Sequence, residues 1–395
     1  MPGHLKTKGK DRMIDKKKIG FRLVIGLALA ACAASAAATE TCGAERYRPR
    51  LFKQFGEINN VPDGLTQDEK GNIFHSAPNL IDNSYPGVVL KRCVKTGKWS
   101  IFVAGAKSPK TGVGRPMGLE YCREDGNLYY CDNQYFDSKD SASRVMRVVI
   151  DKTTGEPLRI ETAVDNIKLA NAIRFYKGDM FFTDTYFDLD RKDGIGVGGV
   201  YRVSLAACRE KTVSLLPKPQ YKNDPCFVCA TETKALEGRG GDNSGADGLA
   251  ITKEGHLYFG TFGSGRFYTA KRNADGSYAP AKLLFENPKV FACCDGICYD
   301  EAENRIIMSD SALNALHTWD IAKELKGECG YGELWKNGDD DGVTGLLDQP
   351  CEPMIWIDPQ TNKRKCIVAN FDMAFPGLTN KTNDKVHTLS VIDLE

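Results

Sequence analysis

The 395-residue sequence lacks an excess of either charge, since 53 lysines and arginines are matched by 52 aspartates and glutamates. No basic stripe follows the first 22 residues, so nothing in the sequence is suited to a nucleic-acid backbone, and we expect no nucleic-acid partner. A phosphate loop, a G-x-S-x-G elbow, an H-E-x-x-H helix and a dinucleotide fingerprint are also missing. Kinases, serine hydrolases and zinc proteases therefore have no support.

The sequence also offers no full-length membrane span near its start. The apolar run Leu23–Ala38 has 16 residues, whereas a span needs about 20. Because a basic stretch precedes this run, an export signal is the preferred interpretation and a membrane anchor is the alternative. Small residues at 34–36 suit signal cleavage, but Leu29–Cys32 resembles a lipobox, in which Cys32 would carry lipid and attach the protein to a membrane.

We therefore expect residues 1–40 to be a signal peptide or lipoprotein signal, and residues 41–395 to form one domain. The protein would be exported and would be periplasmic, extracellular or anchored as a lipoprotein. Of its 14 cysteines, 13 follow Cys32, and in an exported protein that number predicts a disulfide framework. Cys122 with Cys131, and Cys351 with Cys366, lie on consecutive predicted strands and are candidates for bridges across hairpins.

A repeat dominates the rest of the chain. Six segments share a small or acidic residue, a glycine–hydrophobic step, a strand, a turn rich in Asp, Gly or Asn, and a second strand. The second residues of these segments are Asp63, Met117, Asn171, Asp247, Asp295 and Glu352. They are separated by 54, 54, 76, 48 and 57 residues, a period typical of propeller blades. Further short strands lie between the segments, so the repeat predicts an all-β, six-bladed β-propeller.

The 76-residue interval is longer than the others, and its excess lies at about 186–245. We interpret it as an insertion that forms a loop or lid near the channel entrance. The alternative is an excursion without function.

The repeat also predicts a metal site. The innermost strand of each propeller blade lines the central channel, so residues that open these strands meet in a ring. Carboxylates about 4 Å apart repel by about 4 kcal/mol at an effective dielectric of 20, so the ring needs a cation. Its oxygen ligands favour Ca²⁺, with Mg²⁺ or Mn²⁺ as alternatives. The predicted ligands are Asp63, Asn171, Asp247, Asp295 and Glu352. Alternatively, each Asp only caps a turn before its glycine.

At these motifs, best at ADGLAITKEGHLYFGTFGSGR from Ala246, the chain resembles the calcium-dependent propellers that include senescence marker protein, gluconolactonase and luciferin-regenerating enzyme, with paraoxonase as a more distant relative. The resemblance covers about Pro62 to Phe371. It implies a divalent metal held by acidic and Asn residues from different blades, here Asp63, Asn171, Asp247 and Asp295 in linear order. The alternative is a permuted register that pairs Glu352 with Asn171 and Asp247; in the linear order Glu352 is a further member of the ring. It also implies that a carboxylate beside the metal, or an activated water, acts on a lactone.

Two positions depart from the family pattern. Met117 stands where paraoxonase-like sequences have a histidine, so their histidine base is missing. Leu169 stands where the sugar lactonases have an arginine, which puts recognition of sugar acids in doubt. Among the remaining histidines, which we expect to be packed or on the surface, His75 is the one that merits a test.

Together these features predict a monomeric, calcium-dependent hydrolase that acts on a small lactone or ester, with Asp295 and Asp247 as the catalytic carboxylates. One alternative is a non-enzymatic binding propeller in which the metal is structural. Another is an enzyme of the strictosidine synthase type, suggested by the short match GRPMGLEY from Gly114.

Overall fold

Six sheets, antiparallel except for one short edge strand, contain nearly all of the regular structure of the described residues. The computed structural model describes residues 46–81, 83–187, 189, 191–337, 342–344 and 346–395. These residues belong to one compact unit, Ala44–Glu395. The predicted signal segment and Cys32 lie outside the described residues.

The first strand, β1 (Arg50–Gln54), precedes the first blade, and the remaining strands follow in chain order. Blade one contains β2 (Leu65–Gln67), β3 (Ile73–Ala77), β4 (Val88–Arg92) and β5 (Trp99–Ala104). Blade two contains β6 (Pro116–Cys122), β7 (Asn127–Asp132), β8 (Ser143–Ile150) and β9 (Pro157–Ile167). Blade three contains β10 (Ala170–Tyr176), β11 (Asp179–Asp184), β12 (Ile195–Ser204) and β14 (Phe227–Lys234).

Blade four contains β15 (Ala246–Ile251), β16 (Leu257–Thr261), β17 (Phe267–Ala270) and β18 (Lys282–Phe285). Blade five contains β19 (Ile297–Asp300), β20 (Arg305–Asp310), β21 (Ala315–Asp320) and β22 (Tyr331–Lys336). Blade six contains β23 (Pro350–Ile357), β24 (Arg364–Asn370), β25 (Thr388–Asp393) and the early strand β1.

Both ends of the described chain meet in blade six and close the ring. Strand β1 pairs antiparallel with β25, so this blade takes one strand from the start and three from the end of the domain. Each innermost strand contacts the innermost strand of the next blade, and β23 contacts β2. The predicted all-β, six-bladed propeller is confirmed, whereas the role of β1 was not anticipated because it lies outside the repeat.

The glycine of the repeat allows neighbouring blades to approach closely. A Cβ atom on Gly118 would lie 2.1 Å from the carbonyl oxygen of Asn171, and one on Gly248 would lie 2.0 Å from that of Asp295. Real Cβ atoms essentially never come so close to another atom. In addition, the Thr183 hydroxyl donates a hydrogen bond to the carbonyl oxygen of Asp247 at 2.7 Å. The repeat therefore encodes blade-to-blade contact as well as strands.

The segment 186–245, expected as a loop or lid, consists partly of blade three itself, because β12 and β14 lie within it. Between these strands come α1 (Leu205–Glu210), β13 (Val213–Ser214) and a 3₁₀ helix, Lys218–Asn223. Strand β13 pairs in parallel with β9, which makes the sheet of blade two five-stranded. The remaining irregular stretch is the loop at 235–245, which reaches the channel as described below.

Two α-helices are short: α1 and α2 (Ile321–Leu325), with six and five residues. A further 3₁₀ helix is Glu57–Asn59. Within the part of the chain that the structure describes, no helix has the length and apolar character that crossing a membrane requires.

The two predicted hairpin disulfides are wrong, and strand register is the reason. Cys122 faces Asn127 across its hairpin, so Cys131 lies four residues further along β7. In blade six, Cys366 faces Ile355, whereas Cys351 lies at the far end of that hairpin. All cysteines that the structure describes are free thiols. Those in the core, such as Cys131 and Cys294, behave as small apolar side chains, because burial raises the pKa of their thiols well above the ordinary value.

Candidate functional site

The ring residues lie where the innermost strands begin. In blades two, three and four, the strand pairing shifts by one residue at this point, between Pro116 and Leu119, Ala170 and Ile173, and Ala246 and Leu249. Such a bulge redirects the side chain of the extra residue. Met117, Asn171 and Asp247 occupy these bulges, and Asp63 and Asp295 lie just before β2 and β19. Because the inner strands run side by side, their starts converge at one end of the channel.

Glu352 is not equivalent to the other five residues, and this prediction needs correction. The bulge of β23 begins after Pro350, so the position that matches Asn171 and Asp247 is Cys351. The close contacts between blades agree with this register. A Cβ on Gly296 would lie 2.3 Å from the carbonyl oxygen of Cys351, just as a Cβ on Gly248 would lie 2.0 Å from that of Asp295. A register error of one residue turns a strand side chain to the other side. Glu352 consequently points toward the opposite end of the channel.

A cavity of about 400 Å³ lies at the end of the channel where the inner strands begin. Its lining includes the four remaining predicted ligands, Asp63, Asn171, Asp247 and Asp295, as well as Met117. Aromatic side chains form much of its apolar wall: Tyr135, Phe136, Tyr186, Phe262, Phe371 and Phe375. The loop at 239–244 supplies a further part of the lining. A cavity of this size accepts a small organic molecule.

The three carboxylates of the ring are poorly solvated and repel one another. Asp63 and Asp247 are buried, and Asp295 is half-buried. Desolvation, with added repulsion from Asp295, raises the pKa of Asp63 and of Asp247 well above the ordinary value. Desolvation also raises the pKa of Asp295 to about 7. The Ser311 hydroxyl, which donates a hydrogen bond of 2.9 Å to this carboxylate, partly opposes the rise. The cavity therefore favours a positive charge.

Several polar groups that line this cavity have no hydrogen-bond partner among the described residues. They are Asp247 Oδ1, Asn133 Nδ2, Thr185 Oγ1, and Arg239 Nε and Nη1. Buried polar groups are normally paired, and an unpaired one costs about 1–3 kcal/mol. Their concentration in one cavity indicates a site that is completed by a ligand. Hard oxygen donors, as in Asp63, Asn171, Asp247 and Asp295, suit a calcium-type cation. The neighbouring Cys351 is a poor ligand, because burial raises the pKa of its thiol well above the ordinary value.

A second acidic group lies in the loops of blade six. Oxygens of Asp348, Asp372 and Asp384 lie within 4.8 Å of one another, which within the described residues is the tightest such cluster. Oδ2 of Asp372 also lies at hydrogen-bond distance, 2.9 Å, from Nδ1 of His387. This cluster is outside the cavity lining and was not anticipated from the sequence, because its members do not fall at repeat positions.

At the other end of the channel, an arginine neutralises the acidic residues. Arg174 forms an ion pair with Glu352, lies 3.6 Å from Glu120, and donates to the carbonyl oxygen of Ile297 at 2.9 Å. Desolvation raises the pKa of Glu120 to about 7, and the nearby Arg174 opposes that shift. Blades two, three, five and six are thus connected through one guanidinium group, which we call the arginine plug.

His75, the histidine that merited a test, is packed inside the protein. His75 is fully buried; its Nε2 lies 3.0 Å from the Asn59 amide and its Nδ1 lies 3.0 Å from the Gly64 carbonyl oxygen. Desolvation lowers its pKa to about 4, so it is neutral near pH 7. Sequence reasoning missed Asn133, Thr185 and Arg239. The first two directly follow acidic residues that end second strands, which was an available signal, but Arg239 lies in an irregular loop.

Comparison with known proteins supports the same architecture. No protein-family model and no curated protein sequence matches the chain. Among solved structures, a luciferin-regenerating enzyme aligns with a TM-score of 0.56 at 13% identity, over 88% of this chain and 94% of its own. The calcium-binding protein regucalcin from Agrobacterium tumefaciens str. C58 aligns at 0.52 and 12% identity, over 88% and 94%.

A third structure, a candidate gluconolactonase, aligns with a TM-score of 0.50 at 12% identity, over 88% of this chain and 92% of its own. The resemblance predicted from the motifs is therefore confirmed at the level of the fold. At this identity, fold likeness does not determine activity, which has to be argued from the site.

Proposed function

We propose that the protein is a calcium-type, metal-dependent hydrolase that acts on a lactone or ester. The observation that carries this proposal is the convergence of Asp63, Asn171, Asp247 and Asp295 on one cavity, with Asp247 Oδ1 buried and unpaired. The fold likeness to a calcium-binding regucalcin and to a candidate gluconolactonase is consistent with it.

In this proposal, Asp63, Asn171 and Asp247 hold the cation through their side-chain oxygens. When bound, the cation supplies a Lewis acid that polarises the substrate carbonyl and stabilises negative charge on its oxygen. The aromatic wall, including Phe262 and Phe375, positions the apolar part of the substrate and excludes water from it.

Asp295 is the preferred general base, and Asp247 is the alternative. The Asp295 carboxylate takes a proton from a water molecule, whose oxygen attacks the carbonyl carbon. The bond to the leaving oxygen then breaks, and that oxygen takes up the proton. Ser311 holds the Asp295 carboxylate in place through its hydrogen bond. Because this chemistry lacks a strong nucleophile, we expect reactive esters and lactones as substrates, and no cleavage of amides.

The test is turnover of a panel of lactones and aryl esters by the purified protein before and after removal of metal. We expect a chelator to abolish hydrolysis and added Ca²⁺ to restore it. Hydrolysis that is unaffected by chelation and by added Ca²⁺ would contradict a metal-dependent mechanism. Far-ultraviolet circular dichroism after chelation serves as the control, because loss of the fold would imitate loss of the reaction.

A further inference from the structure

Arg239 is the only cationic residue in the described lining of the cavity. It lies in the loop at 235–245, where no repeat position predicts a functional residue. Its side chain is 2% exposed, so its charge is removed from solvent. A buried guanidinium needs hydrogen-bond acceptors, and its existing contacts indicate what is missing.

Only one of the two terminal nitrogens of Arg239 is hydrogen-bonded. Nη2 lies 3.0 Å from the Asp242 carboxylate and 3.4 Å from the carbonyl oxygen of Phe262. The guanidinium carbon lies 5.0 Å from the centre of the Phe262 ring. Nε and Nη1 are buried and find no acceptor among the described residues. Since an arginine has five N–H donors, those on Nε and Nη1 are left for a ligand.

Other unpaired groups of the same cavity can donate as well. The Asn133 side-chain nitrogen and the Thr185 hydroxyl line it without a partner among the residues that the structure describes. A wall that offers N–H and O–H donors is completed by an oxygen-rich acceptor. Charge-assisted bonds from a guanidinium to a carboxylate are the strongest of this kind, so a carboxylate is the ligand group that Arg239 suits best.

We propose that Arg239 binds a carboxylate group of the substrate, so that the cavity selects lactones or esters with an acidic group attached to an apolar body. This inference rests on the proposed hydrolase function. It assigns the two ends of the substrate: the acidic group lies at Arg239, and the reacting carbonyl lies at the ring of Asp63, Asn171, Asp247 and Asp295.

The rest of the cavity agrees with this orientation. Arg239 and the four ring residues line the same cavity. The aromatic wall of that cavity, with Phe262 and Phe375, suits an apolar body. The competing explanation is that Arg239 only holds its loop, since a Cβ atom on Gly377 would lie only 3.0 Å from the Arg239 Cδ atom.

The test compares phenyl acetate with 4-acetoxybenzoate, which carries an added carboxylate. We expect the wild-type protein to prefer the acidic ester by about 10-fold in kcat/KM, as expected for one charge-assisted hydrogen bond. In Arg239→Gln the ratio of the two kcat/KM values should fall toward one, and Arg239→Lys should retain part of it. The matched control is Arg147→Gln, because Arg147 is similarly buried but pairs with Glu161 outside the cavity.

A wild-type protein without preference for the acidic ester would overturn the inference. An equal loss for both esters in Arg239→Gln would also overturn it, because that result identifies a residue that only holds the loop.

Calorimetric binding of benzoate and of benzyl alcohol keeps the inference testable without turnover. If neither ester is hydrolysed, the proposed hydrolysis fails, yet benzoate binding that weakens about 10-fold in Arg239→Gln still supports the anion site. Equal affinity of the wild-type protein for benzoate and benzyl alcohol refutes the anion site, even if the Arg239 variants do not fold.

Discussion

The two ends of the central channel handle buried negative charge in different ways. Where the inner strands begin, Asp63, Asp247 and Asp295 line a cavity whose ring contains no cationic side chain, and Asp247 Oδ1 is unpaired. Further along the same strands, Glu120 and Glu352 share the arginine plug. The end with the arginine plug therefore contains its own counter-charge, whereas at the end with the cavity we propose that a cation is taken up from solution.

This difference teaches that an acidic residue near a propeller axis is not by itself evidence for a metal. Its position in the strand decides which end of the channel it faces, and so whether Arg174 can reach it. Glu352 and Asp295 look alike in the repeat, yet only Asp295 lines the cavity.

The largest expected effect comes from breaking the arginine plug. Arg174→Met leaves the buried Glu352 and the half-buried Glu120 without their counter-charge. Loss of one partner of a buried ion pair costs about 3–5 kcal/mol. We expect the free energy of unfolding, measured with urea, to fall by that amount, and Ca²⁺ not to restore it. The control is Arg50→Met, whose ion pair with Asp393 is exposed and should contribute at most about 1 kcal/mol. Similar losses in both variants would disagree with this assignment.

At the end of the channel with the cavity, Asp295→Asn should remove activity and leave the fold intact. We expect kcat to fall at least about 100-fold, because an amide cannot accept the proton from water. Near-ultraviolet circular dichroism should match that of the wild-type protein. Full turnover in this variant would exclude Asp295 as the base. For a residue that acts as the base without holding the cation, we expect loss of turnover while calcium still raises the Tm as in the wild-type protein.

The dependence of stability on pH should also distinguish the two ends. Because burial raises the pKa values of Asp63, Asp247 and Asp295, the metal-free protein has the stability of their protonated forms below about pH 4. It loses that stability as pH rises, in the case of Asp295 through about pH 7. Calcium competes with these protons, so the difference in Tm between calcium and chelator should grow over the same interval. Glu120 titrates both with calcium and with chelator, so its contribution cancels in this difference in Tm. A difference that does not change with pH would place the calcium elsewhere.

Much of the fold follows from the sequence because the blade is a repeated unit. A glycine directly after the ring residue gives the close contact between blades, as Gly118 and Gly248 illustrate, and it marks the inner strands of blades one, two, four and five. Strand β1 carries no such step, and only its pairing with β25 reveals that it belongs to blade six. The disulfide predictions failed because they depend on hairpin register, which spacing alone does not fix.

The site is less predictable for the same reason. Four ring residues could be located, since their repeats include the glycine or alanine that follows them. In blade six, Glu352 itself occupies that following position, and choosing it instead of Cys351 is an error of one residue that reverses the direction of the side chain. Arg239, Asn133 and Thr185 enter the cavity from loops, whose paths depend on tertiary contacts.

Titration calorimetry with Ca²⁺ tests the central claim most directly, with the wild-type protein, Asp63→Asn, Asp247→Asn and Asp384→Asn. The account predicts one bound calcium in the wild-type protein, loss of that binding in Asp63→Asn and Asp247→Asn, and its retention in Asp384→Asn, which alters the acidic cluster of blade six. No calcium binding to the wild-type protein, or binding lost only in Asp384→Asn, would contradict a metal site in the channel.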